Sequence, residues 1–162
     1  MTSDGTAPDI TAGAARLGIV GAGELATYTI AGLRRSGSEN AIALSPRNRA
    51  NADRLARLYD CSVVASNQAV VDAADIVVIA LRDADAPQVC TSLVFRPDQL
   101  VIFASTGMTW REVAKRVAPA VTVRAMICAG AQVCEGPVSI YPDNAVARVL
   151  LGRIGRVIAS PD

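Results

Sequence analysis

Short apolar runs alternate with amphipathic stretches along most of the chain, and the alternation predicts the elements. "ARLGIVG" (Ala15 to Gly21), "AIALS" (Ala41 to Ser45) and the short "CSVVAS" read as strands. "DIVVIAL" (Asp75 to Leu81) and "QLVIFAS" are near-continuous apolar runs, as expected of parallel strands buried on both faces. "VTVRAMI" is a further strand, "PVSIYP" a strand of antiparallel type, and "RVIAS" a last edge strand. Between them lie helical patterns. Gly23 to Ser36 carries Leu25, Tyr28, Thr29, Gly32 and Leu33 near one face, and "SG" ends it. "RNRANADRLARLY" turns Leu55 and Leu58 inward and its arginines outward. "NQAVVDAA", "DAPQVCTSLVF", "TWREVAKRVA" (stopped by Pro119) and "NAVARVLLGRIG" complete the helices. In "STGMTWRE", Thr109 followed three residues later by Glu112 reads as a capping box.

Strands alternating with helices imply an α/β chain with right-handed crossovers. The fold class is a Rossmann-type, doubly wound, mainly parallel sheet of about 7–8 strands in a single domain. Residues 1–15, "MTSDGTAPDITAGAA", are small and polar and read as a mobile tail; residues 16–162 form the domain. A chain of 162 residues, 51% hydrophobic and 19% charged, is long enough for a proper core.

Composition narrows the function classes. A net charge of +1 and only 4% aromatic residues argue against nucleic-acid binding. No apolar run approaches membrane-spanning length, and no signal-peptide pattern opens the chain. There is no histidine, so the commonest general base and metal ligand are missing; no metal site is expected. Cys61, Cys90, Cys128 and Cys134 form no CxxC and match no zinc framework. They read as buried free thiols in a reducing, cytoplasmic setting.

Chemistry therefore points to a bound cofactor. Gly21-Ala22-Gly23-Glu24-Leu25-Ala26 is a GxGxxA motif between a strand and a helix, opening a βαβ unit. The first glycine allows the tight turn, the second lets backbone approach a pyrophosphate, and Ala26 lets helix and strand pack closely. The helix start then offers free N–H groups to phosphate. Standing alone, the motif also fits a structural glycine turn or another nucleotide. The second strand bears on which dinucleotide it is. A carboxylate about 20 residues on would bind ribose hydroxyls. Here Ser45 stands there, followed by Pro46-Arg47-Asn48-Arg49. A hydroxyl and guanidiniums suit the 2′-phosphate of NADP(H), with Ser45 and Arg47 as its partners. Ala80, Leu81 and Arg82 end one buried strand and would flank the cofactor's ribose and phosphates. Ser105, Thr106 and Gly107 follow another and would approach the nicotinamide, unless the two hydroxyls serve as helix caps.

"GIVGAGELA", "IALSPR", "SNQAVVDAADIVVIALR", "VIFASTGMT" and "VRAMICAGAQVCEGPVSIYP" occur in this order, and the chain thereby resembles the pyrroline-5-carboxylate reductases over about residues 16–160. The resemblance implies reduction of a cyclic imine, pyrroline-5-carboxylate, to proline with NAD(P)H. It maps the cofactor loop to Gly21 through Ala26, including Glu24 and Leu25. It maps the 2′-phosphate contacts to Ser45 and Arg47, and a cofactor-contacting Asn to Asn67, which also fits a helix N-cap.

The departures are specific. Arg82-Asp83 replaces the family's Lys-Pro, and Ser105-Thr106-Gly107 its Ala-Ala-Gly. Arg124-Ala125-Met126-Ile127-Cys128-Ala129-Gly130 stands where the family has Arg-x-Met-Pro-Asn-Thr-Pro. The family continues into an all-helical domain that makes the dimer and most of the imine pocket; "RVIASPD" ends this chain where that domain would begin. No residue stands out as the catalytic acid, with Thr106 and Cys128 the positioned candidates. Two readings follow: an NADP(H)-dependent oxidoreductase domain for a small imine or amino-acid substrate, or a non-catalytic NADP(H)-binding module that needs a homo-oligomer or partner chain.

Overall fold

Four consecutive apolar side chains with no polar break, Ile76–Ile79, form the strand β4 at the middle of the sheet, and all four are buried. The computed structural model describes residues 11–161. In chain order the elements are β1 (Leu17–Val20), α1 (Glu24–Arg35), β2 (Ile42–Leu44), α2 (Arg49–Tyr59), β3 (Ser62–Val63), α3 (Asn67–Ala73), β4, α4 (Ala86–Ser92), β5 (Leu100–Phe103), α5 (Trp110–Val117), β6 (Val121–Ile127), a 3-10 turn (Ala129–Val133), β7 (Pro137–Tyr141), α6 (Ala145–Leu151) and β8 (Arg156–Ala159). The eight strands lie in the order β3-β2-β1-β4-β5-β6-β7-β8. β1 through β6 are parallel; β7 runs antiparallel to β6, and β8 parallel to β7 at the edge. This is the expected doubly wound sheet, with the expected antiparallel strand and edge strand.

Each face of the sheet has its own core. On one, Ala26, Ile30 and Leu33 of α1, Leu55 of α2 and Leu150 of α6 pack against Leu17, Ile19 and Ile102. On the other, Val70 and Val71 of α3, Cys90 of α4 and Val113 and Val117 of α5 pack against Val20, Val77 and Phe103. Apolar area buried on both sides of the parallel strands is the main term holding the sheet between its helices. Strand order reverses between β1 and β4, so the loops leaving these two strands diverge to opposite faces and open a crevice at their carboxyl ends.

Some expectations are corrected. Of the expected tail, residues 1–10 lie outside the described residues. Residues 11–15 are packed: Ala12 and Ala15 are buried, and Asn40 Nδ2 donates to the carbonyls of both at 2.8 Å. Residues 11–15 thus belong to the packed domain, because Asn40 satisfies that turn's carbonyls. Leu58 points outward, 60% exposed, because the buried stripe of α2 runs through Ala52 and Leu55. Of the cysteines only Cys90 is buried; Cys61 and Cys134 are half-buried and Cys128 is exposed, all as free thiols. Burial pushes the thiols of Cys61 and Cys90 up to about 11. The capping box is present: Thr109 Oγ1 accepts from the Glu112 amide, and the Glu112 carboxylate accepts from the Thr109 amide.

The 3-10 turn has no counterpart among the predicted elements. It sits directly on α1 at Gly32, where a Cβ would come within 2.0 Å of the Ala131 carbonyl oxygen. In an open helix Gly→Ala stabilises by about 1 kcal/mol. Here the sign reverses. Gly32→Ala is expected to lower stability by about 1–3 kcal/mol, from overpacking against backbone, measured by urea unfolding; a stabilised variant would show that α1 and the 3-10 turn do not touch.

Candidate functional site

β1 ends in a turn that only glycine can make. Gly21 has φ +113, and a Cβ there would stand 2.2 Å from the Ala80 carbonyl oxygen. Two independent constraints, backbone conformation and the approach of β4, therefore exclude any side chain. Gly23 is different. It is the N-cap of α1 with extended backbone and no side chain to cap the first turn, and a Cβ would meet no protein atom within 4 Å. Packing of the protein does not require glycine at this position. The N–H groups of the first helical turn have no intrahelical acceptor and point out of the turn.

The turn is tied down from outside. The Gly21 amide donates to Ser45 Oγ at 3.0 Å, and Ser45 Oγ donates in turn to Asn67 Oδ1 at 2.6 Å. Ser45 is fully buried. Asn51 Nδ2 donates to the Ala22 carbonyl at 2.6 Å, and Asn48 Nδ2 reaches the same oxygen at 3.2 Å. Three side chains, Ser45, Asn48 and Asn51, thus hold Gly21 and Ala22 of the turn, and Asn67 holds Ser45. Asn48 and Asn51 escape motif reading; the only signal is an Asn-x-x-Asn spacing at the start of α2.

Above the turn opens a cleft of about 550 Å³ lined by Gly21, Gly23, Glu24, Leu25, Arg47, Ala80, Leu81 and Arg82 among others. Eight expected site residues thus share one cavity. Ser45, which is buried, and Asn67, which is half-buried, are not among its lining residues. Ser45 has its hydroxyl committed to the turn, whereas Arg47 lines the cleft. Asn67 begins α3, but the N-cap is Ser66, whose Oγ accepts from the Ala69 amide at 3.1 Å.

Ser105 and Thr106 line a second, smaller cavity of about 160 Å³, with Arg124, Met126, Ser139 and Tyr141. Neither hydroxyl caps a helix. Ser105 Oγ donates to the Leu81 carbonyl at 2.6 Å, which joins the ends of β4 and β5. Thr106 donates to Asp83 twice, from its amide at 2.9 Å and from Oγ1 at 2.6 Å. These bonds hold the Asp83 carboxyl below its ordinary pKa. Trp110 packs edge-on to Tyr141, ring centroids 5.8 Å apart, and its indole N–H donates to the Thr122 carbonyl. Cys128 lines neither cavity; its Sγ contacts the Pro137 carbonyl at 3.7 Å. Among the described residues no group of three or more His, Cys, Asp or Glu could hold a metal, and no helix is long and apolar enough to cross a membrane.

A doubly wound sheet with a glycine turn and a helix N-terminus at its switch point defines the class as a dinucleotide-binding α/β domain. The chain belongs to the family described as NADP oxidoreductase, coenzyme F420-dependent, whose profile matches residues 16–107. It is also similar to the pyrroline-5-carboxylate reductase of Pseudomonas aeruginosa, 26% identical over 149 residues that cover 90% of this chain and 55% of that protein. Its fold matches the pyrroline-5-carboxylate reductase of Coxiella burnetii with a TM-score of 0.80 at 22% identity, over 91% of this chain and 59% of the other. The Plasmodium falciparum pyrroline carboxylate reductase solved with NADP bound gives 0.77 at 16% identity, over 91% and 58%. The chain spans about half the length of the curated relative it matches over most of its own length.

Ser45 is the most exacting residue of the site. Ser45→Ala leaves the Gly21 amide and Asn67 Oδ1 without this partner in a buried setting. A loss of about 1–3 kcal/mol in urea unfolding is expected, with faster hydrogen exchange at Gly21; unchanged stability and exchange would show that the tie is dispensable.

Proposed function

We propose that the chain binds NADP(H) in the cleft above Gly21–Leu25 and serves as the cofactor-binding part of a reductase acting on the C=N bond of a small cyclic imine, pyrroline-5-carboxylate or a close relative. The observation that carries the reading is the contrast between the two glycines. Gly21 is required by the protein itself, whereas the bare backbone at Gly23 is explained by close approach of a pyrophosphate to the α1 amides. The family description and the NADP bound to the Plasmodium falciparum relative support the cofactor. Similarity to the Pseudomonas aeruginosa reductase supports the substrate class.

When bound, NADPH supplies the hydride. The chain's own residues bind and orient it. The first-turn amides of α1 would hold the pyrophosphate, and Arg47 would hold the 2′-phosphate by charge-assisted hydrogen bonding. The ends of β4 and β5, joined by the Ser105 hydrogen bond to the Leu81 carbonyl, would hold the nicotinamide half. Thr106 faces the second cavity with its hydroxyl proton held by Asp83, so it is a poor proton donor in this arrangement.

A second reading, a binding module that works only with another chain, is favoured by the open face of β6–β8. Met126 and Ile158 are 59% and 46% exposed there. Small residues, Cys128 to Gly130, also follow β6.

Titration with NADPH and NADH tests the cofactor, and NADPH oxidation with pyrroline-5-carboxylate tests the substrate. NADPH is expected to bind more tightly than NADH. Arg47→Ala should weaken NADPH about tenfold, the cost of one charge-assisted contact, and NADH little. Equal losses would contradict the 2′-phosphate assignment. Binding without turnover by the chain alone would favour the module.

A further inference from the structure

Three charged side chains meet at the mouth of the cleft, and the proposed cofactor needs only two of them. Arg47, on the loop after β2, and Arg82, just beyond β4, both direct a guanidinium nitrogen at the same oxygen of Asp85, each at 3.6 Å. Asp85 lies at the N-cap position of α4, yet its side chain caps no helix amide. Helix geometry therefore does not account for where its carboxylate points. All three residues line the cleft. The separations are longer than hydrogen bonds, so both contacts are loose Coulombic pairs that a better anion can displace.

We infer that Asp85 sets how strongly the cleft prefers a 2′-phosphorylated dinucleotide, by competing with that phosphate for Arg47 and Arg82. The inference rests on the placement of the 2′-phosphate at Arg47. A phosphate arriving between the two guanidiniums takes them from Asp85 and lies close to its negative charge. A dinucleotide with a plain 2′-hydroxyl leaves both pairs in place. Asp85 therefore weakens binding of the phosphorylated form selectively and speeds its release. Arg47 is 60% exposed and Asp85 31%, so solvent screens the competition and salt weakens it further. Asp85 is a positioning residue, acting through the arginines rather than on the reacting atoms.

The probes are 2′,5′-ADP and 5′-AMP, which differ only in the 2′-phosphate and need no nicotinamide pocket. Calorimetric titration of the chain at low and at physiological ionic strength is the measurement. Asp85→Asn should tighten 2′,5′-ADP about two- to fivefold, the range of an exposed ion pair, and leave 5′-AMP nearly unchanged. The gain should shrink with salt, and Asp85→Glu should return affinity toward that of the unsubstituted chain. Asp85→Ser is a second uncharged variant should Asn perturb the loop. Equal changes for both probes, or weaker 2′,5′-ADP binding in both uncharged variants, would overturn the inference while leaving the cofactor reading intact. Failure of the unsubstituted chain to bind either NADPH or 2′,5′-ADP would overturn the cofactor reading and the inference with it.

Discussion

The site depends on one buried hydrogen bond, from the Gly21 amide to Ser45 Oγ. A glycine turn is by nature loose, because glycine has the largest range of backbone conformations to lose. Ser45 removes that freedom from one side and the Ala80 carbonyl from the other. Since Ser45 also donates to Asn67, one hydroxyl couples the ends of β1 and β2 to the start of α3. The bond lies in a buried, low-dielectric setting where an unmade partner is costly, so it fixes the turn's position against the sheet. The α1 amides are aimed only as well as this turn is held.

The charge pattern follows from the same geometry. The crevice is open where β1 and β4 send their loops to opposite faces, so the residues just past β2 and β4 converge on its mouth. Both positions carry arginine, and one carboxylate lies between them. A helix N-terminus, two guanidiniums and a single Asp make a mouth suited to a ligand with several negative charges. The second cavity, beyond β5 and β6, has a different character. There Thr106, Asp83 and Ser105 satisfy one another or the backbone, and Met126 and Tyr141 supply apolar surface.

Much of the fold was legible because its signals are local. The apolar runs at Ile76–Ile79 and Leu100–Phe103 can only be buried strands at that length, and the Thr109–Glu112 spacing announced its helix start. GxGxxA placed the cleft because strand, turn and helix are contiguous in the chain. What escaped was set by distant contacts. The 3-10 turn at Ala129–Val133 has no periodicity of its own and exists against Gly32, about a hundred residues away. Ser45 carries the right hydroxyl, but whether it faces ligand or backbone depends on burial that spacing does not reveal. Asp85 reads as an ordinary residue before a helix, and only the fold brings it to Arg47.

The most direct test of the central claim is the response of backbone amides to NADPH, followed residue by residue in ¹H–¹⁵N spectra. If the serine-held turn cradles the pyrophosphate, the largest shifts fall on Gly23, Glu24 and Leu25 at the start of α1. Gly21 stays nearly unmoved, because its amide is already taken by Ser45. Shifts concentrated elsewhere on the sheet, or a large shift of the Gly21 amide showing that it leaves Ser45 for the ligand, would contradict the account.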